Sequence, residues 1–167
     1  NNLKFFWAIN EDFKIKIKNF KIKKNEKVLL LGKSGSGKST LLNLISGIIK
    51  PVSGSIKVES KELNLLSSSQ LDNFRAENIG VIFQQFNLLN FISPIDNILL
   101  PCHFTNFKNK NYKFFKERAL SLGEKLNLDQ KLLTKKNSNK LSVGQQQRIS
   151  ILRAVINMPK IILADEP

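Results

Sequence analysis

Apolar residues follow two different periods along the chain. Near its beginning, Phe13, Ile15 and Ile17 alternate with lysines, and Phe20 and Ile22 continue the alternation. A period of two is typical of a strand with one face on the core and the other in water. We therefore predict a half-buried strand through this region.

Three continuous apolar runs, at residues 28–31, 79–83 and 161–164, have the length and composition of strands buried on both faces. Before the first run, Asn25 lies in a Lys-Asn-Glu-Lys segment. Asparagine tolerates the left-handed backbone conformation, so a turn is predicted there. The three runs predict the interior of a sheet.

Helical spacing of apolar residues begins after residue 38. The predicted apolar face comprises Leu41, Leu42, Leu44, Ile45 and Ile48. Pro51 and Gly54 are expected to end this helix and to turn the chain. Further helices are predicted at 94–100, 112–127 and 142–157, and the serines at 67–69 mark a loop or a helix start.

Strands that alternate with helices imply an α/β fold with a parallel sheet covered on both faces. Residues 85–141 carry no strong strand pattern but several phenylalanines and helical segments. We interpret them as a mostly helical insertion, with polar loops at 105–111 and 134–140.

Charge and cysteine content change this picture little. The net charge of +14 could indicate a nucleic-acid or membrane-surface partner. Almost all of it is lysine spread along the chain, which favours a general compositional bias, and no nucleic-acid partner is expected. Cys102 is the single cysteine, so an internal disulfide is excluded. Only His103 lies beside it, and no metal site is expected there.

The segment GKSGSGKST at 32–40 matches the phosphate-loop pattern G-x-x-x-x-G-K-[ST] in full. Gly35 and Gly37 allow the backbone to curl so that successive N–H groups face an anion. The helix that starts near Lys38 adds its positive dipole end. An ordinary Gly/Ser turn is the alternative, but the apolar run before the loop and the amphipathic helix after it favour nucleotide binding. The predicted ATP-binding residues are Gly32, Lys33, Ser34, Gly35, Ser36, Gly37, Lys38, Ser39 and Thr40. Of these, Lys38 is expected to reach the β- and γ-phosphates, and the Ser39 hydroxyl to bind Mg²⁺.

Two acids follow the last apolar run, in the sequence KIILADE at 160–166. Acids at the carboxyl end of a buried strand lie where ligands bind in open α/β sheets. Asp165 is predicted to hold Mg²⁺, and Glu166 to orient and deprotonate the attacking water as the catalytic base. A solvated acidic turn is the alternative interpretation, and the phosphate loop favours the catalytic one.

The segment LSVGQQQR at 141–148 begins a helix with a capping box, in which Ser142 caps the helix and Gln145 reaches back. The structural interpretation is only a well-capped helix. The functional interpretation is that the exposed helix start attracts a phosphate.

The phosphate loop, Gln84 after an apolar run, LSVGQQQR and ILADEP occur in the order and spacing of the ATPase domain of ABC transporters, which the chain resembles over its whole length. The resemblance implies a P-loop NTPase core with a parallel-rich sheet, an N-terminal antiparallel β portion and a helical insertion. It divides a single domain 1–167 into a core (1–84), a helical subdomain (85–141) and a final helix and strand (142–167). Within the family, IGVIFQQFNLLNFISPIDNILLP at 79–101 resembles the lipoprotein-release, macrolide-export and cell-division branch.

The resemblance also implies roles for single residues. Gln84 would contact Mg²⁺ and the attacking water, so it joins Glu166 and Lys38 as a catalytic residue. The residues that would contact ATP held by a second subunit are Ser142, Gly144 and Gln145. Trp7 lies where the family places an aromatic that stacks on adenine; a core position is its alternative, and Phe5 and Phe6 are rivals.

The implied assembly is a head-to-tail dimer of ATPase subunits bound to transmembrane permease subunits, on the cytoplasmic face of a membrane. Two departures accompany the resemblance. Val143 replaces the first glycine of the family signature and would be strained only at a positive φ. The family's switch histidine lies beyond Glu166, whereas the chain ends at Pro167, so we expect a C-terminally truncated domain that is inactive by itself.

Two other hypotheses remain at this stage. The charge of +14 motivates a non-transport ABC ATPase that acts on nucleic acid or the ribosome. Val143 motivates a regulatory module that binds ATP without turnover.

Overall fold

A computed structural model of the chain describes residues 1–7, 10–105, 112–135 and 137–166. The chain forms two compact units, Asn1–Leu71 and Asp72–Pro167. The predicted division of one domain at residues 84 and 141 stays a prediction. Parts of the predicted loops at 105–111 and 134–140 lie outside the described residues.

The secondary structure mixes strands and helices throughout. Its strands are β1 (Leu3–Trp7), β2 (Asn10–Ile17), β3 (Lys57–Val58), β4 (Lys61–Glu62), β5 (Ile79–Ile82) and β6 (Ile161–Ala164). Its helices are α1 (Lys38–Ile45), α2 (Ser68–Asn78), α3 (Pro94–Leu99), α4 (Tyr112–Lys125), α5 (Gln130–Leu133) and α6 (Val143–Val155), with 3₁₀ turns at Leu63–Leu65 and Leu100–Phe104. β1–β2 and β3–β4 are antiparallel pairs, and β5–β6 is parallel. The α/β class with an N-terminal antiparallel portion is confirmed. None of the helices in the described ranges is long and apolar enough to cross a membrane.

β1 and β2 confirm the strand predicted from the lysine alternation, but this strand ends earlier than expected. The β1–β2 ladder joins Leu3 to Ile17, and the Asn2 N–H donates one further bond to Lys18 O at 2.8 Å. Phe20 and Ile22 lie outside the strand and are exposed, and their inclusion was wrong. The turn predicted at Asn25 is confirmed by its φ of 64°.

The buried strand predicted at 28–31 is not present. Leu29 and Leu31 are 79% and 85% exposed, and the segment has no regular secondary structure. An apolar run signals burial, but a strand also needs neighbours for its backbone N–H and C=O groups. In the described part of the Asn1–Leu71 unit, β1 pairs with β2 and β3 with β4, which leaves the segment without a ladder partner.

α1 starts at Lys38 as predicted but ends at Ile45, before Pro51 and Gly54. Gly47, at φ 70°, ends it in a Schellman motif. The Gly47 N–H donates to Leu44 O (3.0 Å) and the Ile48 N–H to Asn43 O (2.9 Å). Ile48 therefore lies beyond the helix, while Leu44 is fully buried.

β5 and β6 form the parallel pair that carries the candidate site of the second unit. Their register joins Ile82 to Ala164 at the carboxyl ends. At Gly80, an added Cβ would overlap the Ala154 carbonyl oxygen, so the glycine permits α6 to approach β5 closely. The expectation that 161–164 is buried on both faces was wrong, because in β6 only Leu163 is buried and Ile162 is exposed.

The mostly helical character predicted for 85–141 is confirmed by α3, α4 and α5. These helices and α6 share one apolar core, because their amphipathic faces converge. Its members are Ile95, Ile98, Leu99, Phe115, Ala119, Leu128, Leu133, Ile149, Leu152 and Ile156. The second half of α6, with Ile149 and Leu152, is therefore anchored in this core.

Candidate functional site

The phosphate loop curls back on itself in the first unit. Gly35 and Gly37 have φ values of 76° and 94°, which other residues rarely adopt. Gly37 is the N-cap of α1 and no side chain caps this helix. The first N–H groups of α1 are therefore available to a ligand, as an anion site requires.

Lys38 folds over the phosphate loop. Its Nζ donates to Gly32 O at 2.9 Å and to Lys33 O at 3.2 Å. These carbonyls hold the ammonium group at the loop, where it can exchange a backbone partner for a phosphate oxygen. Ser39 is exposed in the first turn of α1, and Thr40 beside it is half-buried.

In the second unit, polar side chains meet at the carboxyl ends of β5 and β6. Gln84 Nε2 donates to Glu166 Oε2 at 2.7 Å. The Asp165 N–H donates to Ile82 O at 3.0 Å and so extends the parallel ladder by one bond. Gln84 and Glu166 are exposed, and Asp165 is half-buried. The structure thus brings Gln84 and Glu166 together, although 82 positions separate them in the sequence.

The oxygens at this edge suit Mg²⁺, which prefers carboxylate and other oxygen ligands together with substrate phosphates. Asp165 and Glu166 offer carboxylates, and Gln84 offers an amide oxygen, because its nitrogen is the atom facing Glu166. In the described ranges no cluster of three or more His, Cys, Asp or Glu side chains could hold a metal by itself. A nucleotide-associated Mg²⁺ needs only one or two protein carboxylates, so this set fits it.

The start of α6 carries the predicted capping box in full. Ser142 Oγ accepts from the Gln145 N–H at 3.3 Å, and the Ser142 N–H donates to Gln145 Oε1 at 2.9 Å. Val143 is the first residue of α6 and has no positive φ, so its backbone is not strained. This removes the motive for a module that binds ATP without turnover.

Gly144 leaves the surface of α6 open. A Cβ at this position would meet only Arg148 Nη2, at 3.9 Å, which is an ordinary contact. No packing within the described chain therefore requires a glycine here. A glycine that its own chain does not need is compatible with close approach of a ligand from outside.

Two of the three aromatic candidates for stacking on a base, Phe6 and Trp7, are exposed. Trp7 is 44% exposed and meets Phe5 edge-on, with ring centroids 4.9 Å apart. Phe5 is buried, which leaves it no free face for a base, while Phe6 is exposed. Within its unit, Trp7 thus presents part of its ring to solvent on a fixed support.

Sequence reasoning missed the groups that hold the chain between Gln84 and α3. Arg153, on α6, donates from Nη2 to Phe86 O at 2.6 Å and from Nη1 to Asn87 O at 2.7 Å. Burial lowers the pKa of the Arg153 guanidinium. A signal was present, because Arg153 lies between the apolar Leu152 and Ala154 on a helix that packs into the core.

Cys102 is not a reactive group. Its thiol donates to Asn157 Oδ1 at 3.1 Å, and burial raises the pKa of the thiol to about 12. The thiol therefore stays protonated at neutral pH.

This chain is similar in sequence to known proteins over most of its length. The family model described as ABC transporter matches residues 15–167. A macrolide export ATP-binding/permease protein of Mannheimia succiniciproducens is 44% identical over 146 residues, 87% of this chain and 22% of that protein. An uncharacterized ABC transporter ATP-binding protein of Methanocaldococcus jannaschii is 39% identical over 93% of this chain and 66% of its own length. A lipoprotein-releasing system ATP-binding protein of Buchnera aphidicola is 36% identical over 100% of this chain and 71% of its own.

A solved structure has the same fold. It is the dimeric, post-hydrolysis state of an ATP-binding cassette bound to ADP and Pi, with a TM-score of 0.85 and 36% identity over 98% of this chain and 71% of that one. The chain spans about a fifth of the macrolide export protein and about two thirds of the archaeal one.

Proposed function

Because this chain belongs to the ABC transporter family, we propose that it binds and hydrolyses ATP to power the transport of a substrate across or out of a membrane. The observation that carries the proposal is the hydrogen bond between Gln84 and Glu166 at the carboxyl end of a parallel strand pair. A carboxylate and an amide at such an edge can orient one water molecule for attack.

The phosphate loop would bind the phosphates of ATP. The free N–H groups at the start of α1 and the Lys38 ammonium would take the phosphates, with Lys38 leaving Gly32 O and Lys33 O. Asp165, Gln84 and the Ser39 hydroxyl would hold Mg²⁺, which neutralises phosphate charge when bound. Trp7 would stack on the adenine.

Glu166 is the base in the proposed reaction. It would accept a proton from a water whose oxygen forms the new bond to the γ-phosphorus, while Gln84 orients that water. The bond between the γ-phosphorus and the β–γ bridging oxygen breaks, and ADP and phosphate leave. The Glu166 side chain is exposed, so a water molecule can reach its carboxylate oxygens.

We also propose that a second copy contributes to each ATP, in a head-to-tail dimer. The dimeric ADP-bound relative and the exposed, glycine-lined start of α6 support this arrangement. Ser142, Gly144 and Gln145 would then contact the γ-phosphate held by the other copy. Transmembrane permease subunits, supplied by this protein or another, would hold the dimer on the cytoplasmic face of the membrane.

Steady-state hydrolysis of Mg-ATP by the protein that contains this chain tests the proposal. Glu166→Gln should slow turnover by at least ~10²-fold, the scale of a lost general base. Glu124→Gln is the matched control, because Glu124 is an exposed glutamate on α4 away from the strand ends. Equal rates for the two variants would show that Glu166 is not the base, and an inactive wild type would refute the proposed function.

The dimer has its own test. Glu166→Gln keeps ATP bound without turnover, so it should elute as a dimer in gel filtration with Mg-ATP and as a monomer without it. A monomer under both conditions, with ATP binding intact, would refute the role of the second copy.

A further inference from the structure

Asn97 is a polar side chain in the middle of an apolar helix. Its neighbours Ile95, Ile98 and Leu99 belong to the core of the second unit, and Asn97 itself is 0% exposed. A buried amide is unfavourable unless its hydrogen bonds are made. An apolar residue here would simply extend the core, so the partners of the amide explain its presence.

Those partners are backbone atoms of the irregular chain that follows β5. Asn97 Oδ1 accepts from the Leu89 N–H at 2.8 Å, and Nδ2 lies 3.0 Å from Leu89 O and 3.2 Å from Ser93 O. The side chain therefore pairs with both backbone groups of Leu89, as a neighbouring strand would. The side chain is thus bonded at Leu89 and Ser93 to the segment 84–93, at whose start Gln84 lies.

The fourth contact of Asn97 leads to a distant part of the chain. Its Nδ2 donates to Ser138 Oγ at 3.1 Å, across 41 positions of sequence. Ser138 is 4% exposed, and its hydroxyl in turn donates a hydrogen bond to Ile92 O at 3.0 Å. The Ser138 N–H also donates to Asn90 O at 3.1 Å. The hydroxyl and the N–H of Ser138 are therefore both bonded, either to the segment 84–93 or to Asn97.

Four residues after Ser138, Ser142 caps α6. The buried bonds of Asn97 and Ser138 thus join the chain that carries Gln84 to the chain that leads into the α6 start. A displacement of either chain alone would break buried hydrogen bonds, whereas a common displacement would keep them.

We propose that Asn97 and Ser138 are positioning residues that make the Gln84 segment and the start of α6 move together. This inference rests on the proposed function, because the coupled movement matters only if the protein hydrolyses ATP as a dimer. Gln84 serves the ATP of its own subunit and Ser142 the ATP of the other, so a rearrangement at one reaches the other through these two side chains.

The kinetic test is Ser138→Ala, which removes one hydroxyl and leaves the backbone bonds of Asn97. We expect kcat for Mg-ATP hydrolysis to fall roughly 10-fold with KM for ATP unchanged, because small misplacements of catalytic groups are costly while the phosphate loop is untouched. Ser150→Ala is the matched control. Ser150 is equally buried, but its hydroxyl donates only to Gln147 O within α6, at 2.8 Å, so its kcat should stay within about twofold of the wild type.

A double-mutant cycle separates positioning from general damage. If Ser138 acts through Gln84, adding Ser138→Ala to Gln84→Ala should lower kcat little further. Independent, multiplying effects would overturn the proposal, as would a Ser138→Ala kcat equal to that of Ser150→Ala. An inactive wild type would overturn the proposed function and this inference together, so the two failures are distinguishable.

Amide hydrogen exchange tests the same inference without any substitution. The Leu89 and Ser138 N–H groups both donate within the network. Addition of Mg²⁺ and a non-hydrolysable ATP analogue to the wild-type protein should change their exchange rates in the same direction and by a similar factor. A change at one amide alone, or at neither with the analogue bound, would overturn the proposal.

Discussion

Arg153 holds the chain that follows Gln84, and its removal should destabilise the protein measurably. Two guanidinium nitrogens donate to Phe86 O and Asn87 O at 2.6 and 2.7 Å. Asn87 has a φ of 50°, a left-handed conformation that asparagine tolerates, so its carbonyl takes a direction that regular secondary structure does not use. Arg153→Ala would leave both carbonyls without their charged partner.

The size of the effect follows from these two bonds. A hydrogen bond to a charged group contributes ~1.5–3 kcal/mol. Burial of the guanidinium, which also lowers its pKa, offsets part of that sum. We expect a loss of about 2–3 kcal/mol in the free energy of unfolding. At roughly 2–4 °C per kcal/mol for a domain of this size, Tm should fall by about 4–12 °C.

Thermal and urea unfolding followed by circular dichroism measures this loss. Arg153→Lys should recover less than half of it, because an ammonium group cannot span two carbonyls as the planar guanidinium does. Arg118→Ala is the control, since Arg118 Nε makes one bond, to Ile156 O at 3.0 Å. A loss for Arg153→Ala no larger than that for Arg118→Ala, or full recovery by lysine, would refute the reasoning.

Three further predictions concern single positions. Lys38→Ala should weaken ATP binding by roughly 10- to 100-fold, the loss of one bond to a charged group, with unchanged circular dichroism; titration of a fluorescent ATP analogue measures it, and equal affinities would contradict the assignment. Cys102, with its pKa raised from 9.0 to about 12, should react with a thiol reagent at pH 8 roughly 10³-fold more slowly in the folded than in the unfolded protein; similar rates would show that the thiol is not buried. Gly80→Ala should cost ~1–3 kcal/mol of stability by overpacking against Ala154 O, whereas Gly144→Ala should be neutral or stabilising; thermal melts compare the two.

Local sequence rules predicted those features whose cause is local. The capping box at Ser142, the glycine conformations at 35 and 37 and the turn at Asn25 depend on a few adjacent residues, and all are confirmed. Parallel strands before Gln84 and Asp165 were also predicted correctly, because apolar runs between helices leave few other arrangements.

Features that depend on distant partners were not predictable in the same way. The apolar run 28–31 indicated burial, but the run alone does not determine whether another strand is available to pair with it. The contacts of Arg153 and of Asn97 with backbone carbonyls leave no residue pattern at the receiving end, because every residue has a carbonyl. The sequence marked only the donors, because Arg153 and Asn97 are polar residues on otherwise apolar helix faces.

The hydroxyl of Ser142 can act as a hydrogen-bond donor as well as an acceptor. It accepts the Gln145 N–H with a lone pair, and a hydroxyl can also donate its own proton to a second acceptor. Asparagine and aspartate cap helices as well as serine does, but aspartate would bring a negative charge toward an arriving phosphate. Asparagine would cap with its carbonyl and would have to reach the phosphate with a separate amide nitrogen. Replacements at this position that preserve helix stability therefore fall into two groups, the hydroxyl side chains and the pair asparagine and aspartate. Only a hydroxyl side chain caps the helix and donates to an anion through the same atom.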